Sequence, residues 1–119
     1  MNQIRATRIA AALGFLAVAL GAFGAHGLKG LLAQNGLTAV WEKAVFYHFI
    51  HAVMLFVLAE RKPFPAVAWW SFLAGIGFFS GSLYLLALTN VHWLGAVTPA
   101  GGLCLLFGWG WLGFEATRG

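Results

Sequence analysis

TAVWEKAVFYHFIHAVMLFVLA, Thr38 to Ala59, confines its charge to Glu42 and Lys43 near its start. After Lys43 it holds no Asp, Glu, Lys or Arg, and at 1.5 Å rise per residue a helix of this length crosses the roughly 30 Å hydrocarbon core of a bilayer. It reads as a membrane-spanning helix. Asn35-Gly36 offers a stop before it and Thr38 an N-cap, while Glu60-Arg61-Lys62-Pro63-Phe64-Pro65 ends it with charge and two prolines.

Three further apolar runs flank this one, giving expected spans at residues 9–25, 38–59, 66–88 and 93–114 of a single transmembrane domain, 1–119. Pro65 suits the first position of the third helix, and Pro99, in the first third of the fourth run, should kink that helix or delay its start. Between His26 and Trp41, Leu28, Leu31 and Leu32 share one helical face and Lys29, Gln34 and Asn35 lie off it, so a short interfacial helix is expected there. The fold class is all-α: an integral membrane four-helix bundle with that short helix after the first span.

Composition agrees. The 119 residues are 61% hydrophobic and 8% charged, against about 25% charged in a soluble domain, which excludes water as the main solvent. The net charge of +4 does not mark a nucleic-acid surface, because the seven basic residues sit at segment ends and not along one polar face. Cys104 is the one cysteine and makes no intramolecular disulfide. The first run, with Arg5 and Arg8 before it and Ala22 and Gly24 near its end, also has the outline of a signal peptide. A retained helix is favoured because the chain beyond it is more membrane-like sequence and not a secreted domain.

Lys and Arg set orientation. Arg5, Arg8, Arg61, Lys62 and Arg118 fall on one side and Lys29 and Lys43 on the other, so both termini are expected in the cytoplasm, in the cell inner membrane. Trp41 and Trp93 then fall at the outer ends and Trp69, Trp70, Trp109 and Trp111 towards the inner ones, as in aromatic belts.

The second span carries the most unusual residues. Tyr47, His48 and His51 lie well inside an apolar run, where polar groups are costly and normally face other helices. Lys43, Tyr47 and His51 recur at every fourth position and His48 lies three before His51, giving one polar face, with His26 on the same side of the membrane as its start. That face suits a proton relay or a quinone headgroup, or cross-helix hydrogen bonds without chemistry. No metal site is expected, since no Cys or Asp stands near the pair, and a haem would need His26 or His92 as the second ligand. Gly77 and Gly81, four apart with Ser80 and Ser82 beside them, are expected at a helix contact. Gly-x-Ser-x-Gly is absent, which argues against a serine hydrolase.

Four separated motifs carry a resemblance: Gly21-Ala22-Phe23-Gly24-Ala25-His26-Gly27-Leu28, Trp41 to Ala44 with Tyr47-His48-x-x-His51-Ala52, Phe79-Ser80-Gly81-Ser82-Leu83-Tyr84, and Leu94-Gly95-x-x-Thr98-Pro99-x-Gly101-Gly102. Together they resemble the YgdD/YwdK-like family of small bacterial inner-membrane proteins of unknown function, similar to a small eukaryotic transmembrane protein. The resemblance implies a four-helix membrane protein and supplies no activity. Two roles stay open: a non-enzymatic membrane component or small-solute and proton-permeation protein, and a lipid-, quinone- or haem-binding protein using the Tyr/His face. Expected partners are the lipid bilayer and a second copy or another membrane protein, with no nucleic acid and no resident cofactor.

Overall fold

The computed structural model describes residues 1–117; Arg118, counted above for orientation, and Gly119 lie outside the described residues. Helix α1, Gln3–Ala25, begins earlier than the apolar run from Ile9 because Asn2 caps it, its Oδ1 accepting from the Arg5 amide at 2.8 Å. Helix α2, Lys29–Asn35, is the expected short helix. It stops at Gly36, which adopts φ 70°, and the Leu37 amide turns back to the Leu32 carbonyl at 3.0 Å.

Helix α3 is Thr38–Ala59. Thr38 is its first residue and not its cap: only Gly36 and Leu37 separate α2 from α3, so Leu37 takes the cap position without a side-chain bond. The third rod is continuous from α4, Ala66–Gly75, through a π-helical turn, Ile76–Ser80, into α5, Gly81–Thr89. Pro65 stands one position before α4, with its carbonyl accepting from the Trp69 amide. Asn90, at φ 58°, ends the rod where Thr89-Asn90 is expected to end it. A 3-10 turn, His92–Ala96, precedes α6, Thr98–Thr117. Pro99 therefore marks the delayed start of the fourth α-helix, one of its two expected effects, and not a kink within it. As the second residue of α6 it lies in the first turn, where its missing N–H has no intrahelical partner to lose.

Four helical segments are long and apolar enough to cross a membrane: Gln3–Ala25, Thr38–Ala59, Ala66–Thr89 and His92–Thr117. The described residues form helices and turns, with no strand. α1 packs on α3, α3 on the third rod, and the rod on α6, while α1 and α6 have no broad contact with each other. Burial follows this order: α3 and the rod are the more buried, α1 and α6 the more open. The middle of the molecule is thus α3 and the rod, flanked by two helices with open outer faces. Leu55, Leu58, Trp69 and Phe72 fill one end, joined by Ala6 and Ala10; Leu32, Trp41 and Ala87 fill the other.

The close helix contacts are not at Gly77 and Gly81. A Cβ on either would meet nothing within 4 Å. Gly77 lies inside the π turn and Gly81 directly after it, and the face they share points away from the neighbouring helices. The backbone of Phe78 and Phe79 itself meets α6, at Gly101, where any side chain would overlap it. Gly75 faces Leu105, Gly108 faces the Phe72 ring, and Gly24 of α1 lies under the Trp41 indole.

Candidate functional site

His48 and His51 sit one turn apart on α3 and are 2% and 4% exposed, so both rings turn into the protein as their desolvation cost requires. Each ring links helices. His48 Nδ1 lies 2.8 Å from the Tyr84 hydroxyl of α5. Its Nε2 is buried without a hydrogen-bond partner.

His51 is fully committed. Its Nδ1 lies 2.7 Å from the Tyr47 carbonyl, one turn back on α3, and the Trp109 indole N–H of α6 donates to its Nε2 at 3.0 Å. The carbonyl demands the proton on Nδ1 and the indole demands a lone pair on Nε2, which together fix the neutral Nδ1–H ring. Trp109 and Phe72 enclose it, with ring centroids 5.9 and 5.2 Å away.

Two of the expected members do not join this centre. Tyr47 is 38% exposed, and its ring lies on Phe79 with centroids 4.7 Å apart. It stacks on the outer side of His51, since a spacing of four rotates each position about 40° around the helix, enough to carry a large ring off the buried seam. His26 is exposed at the C-terminal end of α1, where the helix stops and the chain turns towards α2. His92 is likewise exposed and pairs with Asn90 Oδ1 at 2.8 Å.

Tyr84 and Trp109 are the site residues that the sequence reading did not single out. They lie 36 and 58 positions from their histidines, beyond any helical periodicity. The signal that pointed to them was polar accounting: two buried imidazoles require donors and acceptors on other helices. Other side chains tie helix to helix in the same way. Ser80 Oγ, 1% exposed, donates to the Ala44 carbonyl at 2.7 Å, and Ser82 meets Thr98 at 2.6 Å. Trp41, expected in an outer belt, is 2% exposed, and its indole N–H donates to the Leu20 carbonyl of α1 at 2.9 Å. Trp69 is buried too, donating to the Leu55 carbonyl at 3.2 Å. Trp93 and Trp70 remain exposed, as interfacial residues do.

Residues 20–102 match a family described as "Protein of unknown function (DUF423)", a segment that holds His48, His51 and Tyr84 and ends before Trp109. The chain belongs to this family. Its relatives include the UPF0382 membrane protein of Staphylococcus haemolyticus, 45% identical over 98 residues, covering 79% of this chain and 80% of the relative. Another is the UPF0382 membrane protein YwdK of Bacillus subtilis, 47% identical over 100 residues with the same coverage. No solved structure matches the chain. With four apolar helices of spanning length and relatives named as membrane proteins, this member of the family is a membrane protein.

Proposed function

We propose that the protein is a non-enzymatic component of the cell inner membrane, with both termini cytoplasmic. In this reading the Tyr84–His48 and His51–Trp109 pairs brace α3 against its neighbours and carry out no chemistry. The observation that carries it is the saturation of His51: one ring nitrogen is committed to the Tyr47 carbonyl and the other to the Trp109 indole. A haem or metal at that ring would first have to displace Trp109, because imidazole binds through the lone pair that the indole already uses. A relay through the ring would have to break the same bond. The basic residues at the start of α1 and after α3 support the orientation, and the open outer faces of α1 and α6 support association with lipid and with further copies or another membrane protein.

The test is reconstitution of purified protein into liposomes with an entrapped pH dye, alongside a visible absorption spectrum. The expected result is a colourless sample whose proton leak equals that of protein-free vesicles. A Soret band or quinone absorbance lost in His51→Gln, or a proton leak that the same substitution abolishes, would refute the brace.

A further inference from the structure

A cleft of about 890 Å³ opens between α1 and α3 at the end of the molecule that carries α2. Small residues of α1, among them Ala22, form one wall, and Phe46, Phe49 and Ile50 of α3 the other. At its mouth stand Lys29, the first residue of α2, and Glu42, in the first turns of α3, both exposed. Opposite charges that line one hollow can satisfy each other, yet among the described residues neither takes part in an ion pair or side-chain hydrogen bond. Both face the cleft free.

Below the mouth the hollow continues along the same seam. Val18 and Phe49 line both the first cleft and a second, and Ala11 and Gly14 line that second and a third. From Glu42 to Phe49 the α3 axis rises roughly 10 Å and to Val57 roughly 22 Å. One leaflet with its headgroup region is about 20–22 Å deep, half of the whole bilayer. The seam therefore has the polarity profile and reach of one lipid: a cation and an anion at the interface, then an apolar track towards the midplane.

We propose that this seam binds a phospholipid whose headgroup carries a primary ammonium. One acyl chain lies between α1 and α3, the phosphate meets Lys29, and the ammonium meets Glu42. The charge pair selects the class. A phosphoglycerol headgroup would satisfy Lys29 but bring only negative charge and hydroxyls to Glu42, and a trimethylated ammonium offers Glu42 no N–H to accept from. The site shares no residue with the His–Tyr–Trp brace and goes beyond it, so each stands or falls separately.

Native mass spectrometry of the full chain, released from mild detergent with added phosphatidylethanolamine, phosphatidylglycerol or phosphatidylcholine of identical acyl chains, tests the assignment. The expected spectrum retains phosphatidylethanolamine preferentially, one molecule per chain. Lys29→Gln and Glu42→Gln each lower that occupancy roughly 3- to 10-fold, as expected for one charge-assisted hydrogen bond lost at a wet interface. Lys43→Gln, at the same end but outside the cleft, leaves it unchanged. Ala22→Trp, which fills the cleft, abolishes it. All three charge positions are exposed, so those variants fold. Equal retention of the three lipids, an equal effect of Lys43→Gln, or a lipid-free dimer formed through this seam would overturn the assignment.

Discussion

Trp109 donates its indole N–H to His51 Nε2, so replacing His51 by leucine leaves that donor facing hydrocarbon or bare side chains. Leaving a donor unpaired in apolar surroundings costs about 1–3 kcal/mol. His51→Leu is therefore expected to lower the unfolding temperature in detergent clearly, and His51→Gln much less, because a glutamine oxygen can accept from the indole. Equal melting of the two variants would show that the bond contributes nothing. Tyr84→Phe makes the complementary change at His48 by removing the hydroxyl from Nδ1. Its cost is expected to be similar, and it should add to that of His51→Leu, since the two pairs join α3 to different helices. The inward turn of both histidines was legible in the sequence, because polar rings inside an apolar run have few places to go. Their partners were not: Trp109 follows a run of apolar and glycine residues near a helix end, and there it has the outline of a belt tryptophan, whose lipid-facing role is the commoner one.

Helix limits follow from local chemistry: Asn35-Gly36, Thr89-Asn90 and the Pro-rich segment after Glu60 coincide with helix ends, whereas α1 starts before the apolar run and Leu37 stands where Thr38 is expected as cap. Faces were harder to read. Apart from α3, whose histidines mark its inner face, these helices are largely apolar all round, so little in the sequence reveals which side meets a neighbour. The spacing of Gly77 and Gly81 gives them a common face but does not say which face meets a neighbour, and theirs meets open space. The contact instead belongs to Gly101, pressed on the backbone of Phe78 and Phe79. Gly101→Ala should thus force the rod and α6 apart, at a cost on the order of 1–3 kcal/mol for overpacking. Gly77→Ala should be neutral or slightly stabilising, because Ala favours the helix and finds open space there. Thermal melts of the two variants in the same detergent check this, and a larger loss for Gly77→Ala would return the contact to the predicted pair.

Side-chain contacts fix which helix ends share one end of the molecule. Gln3 Nε2 donates to Glu60 Oε2 at 2.8 Å, holding the start of α1 beside the end of α3. Arg5 and Arg8 therefore lie at the same end of the 50 Å long molecule as Arg61 and Lys62, while Lys29 and Lys43 lie at the α2 end. Short-loop basic charge is retained in the cytoplasm, so the Arg-rich end should stay inside. Exposed positions allow a direct check in a Cys104→Ser background: Gln34→Cys should react with a membrane-impermeant maleimide in intact cells, and Ala116→Cys only after permeabilisation. Reverse labelling would overturn the orientation. The cause can be separated from the outcome by charge transfer. If basic bias sets the orientation, Arg61→Gln and Lys62→Gln combined with two lysines inserted beside Asn90 should give mixed labelling at both sites. If instead the packing of α1 on α3 dictates insertion, labelling at both positions should remain as in the parent chain, because none of those changes touches the buried seam of Ala6, Ala10, Ala17 and Gly24.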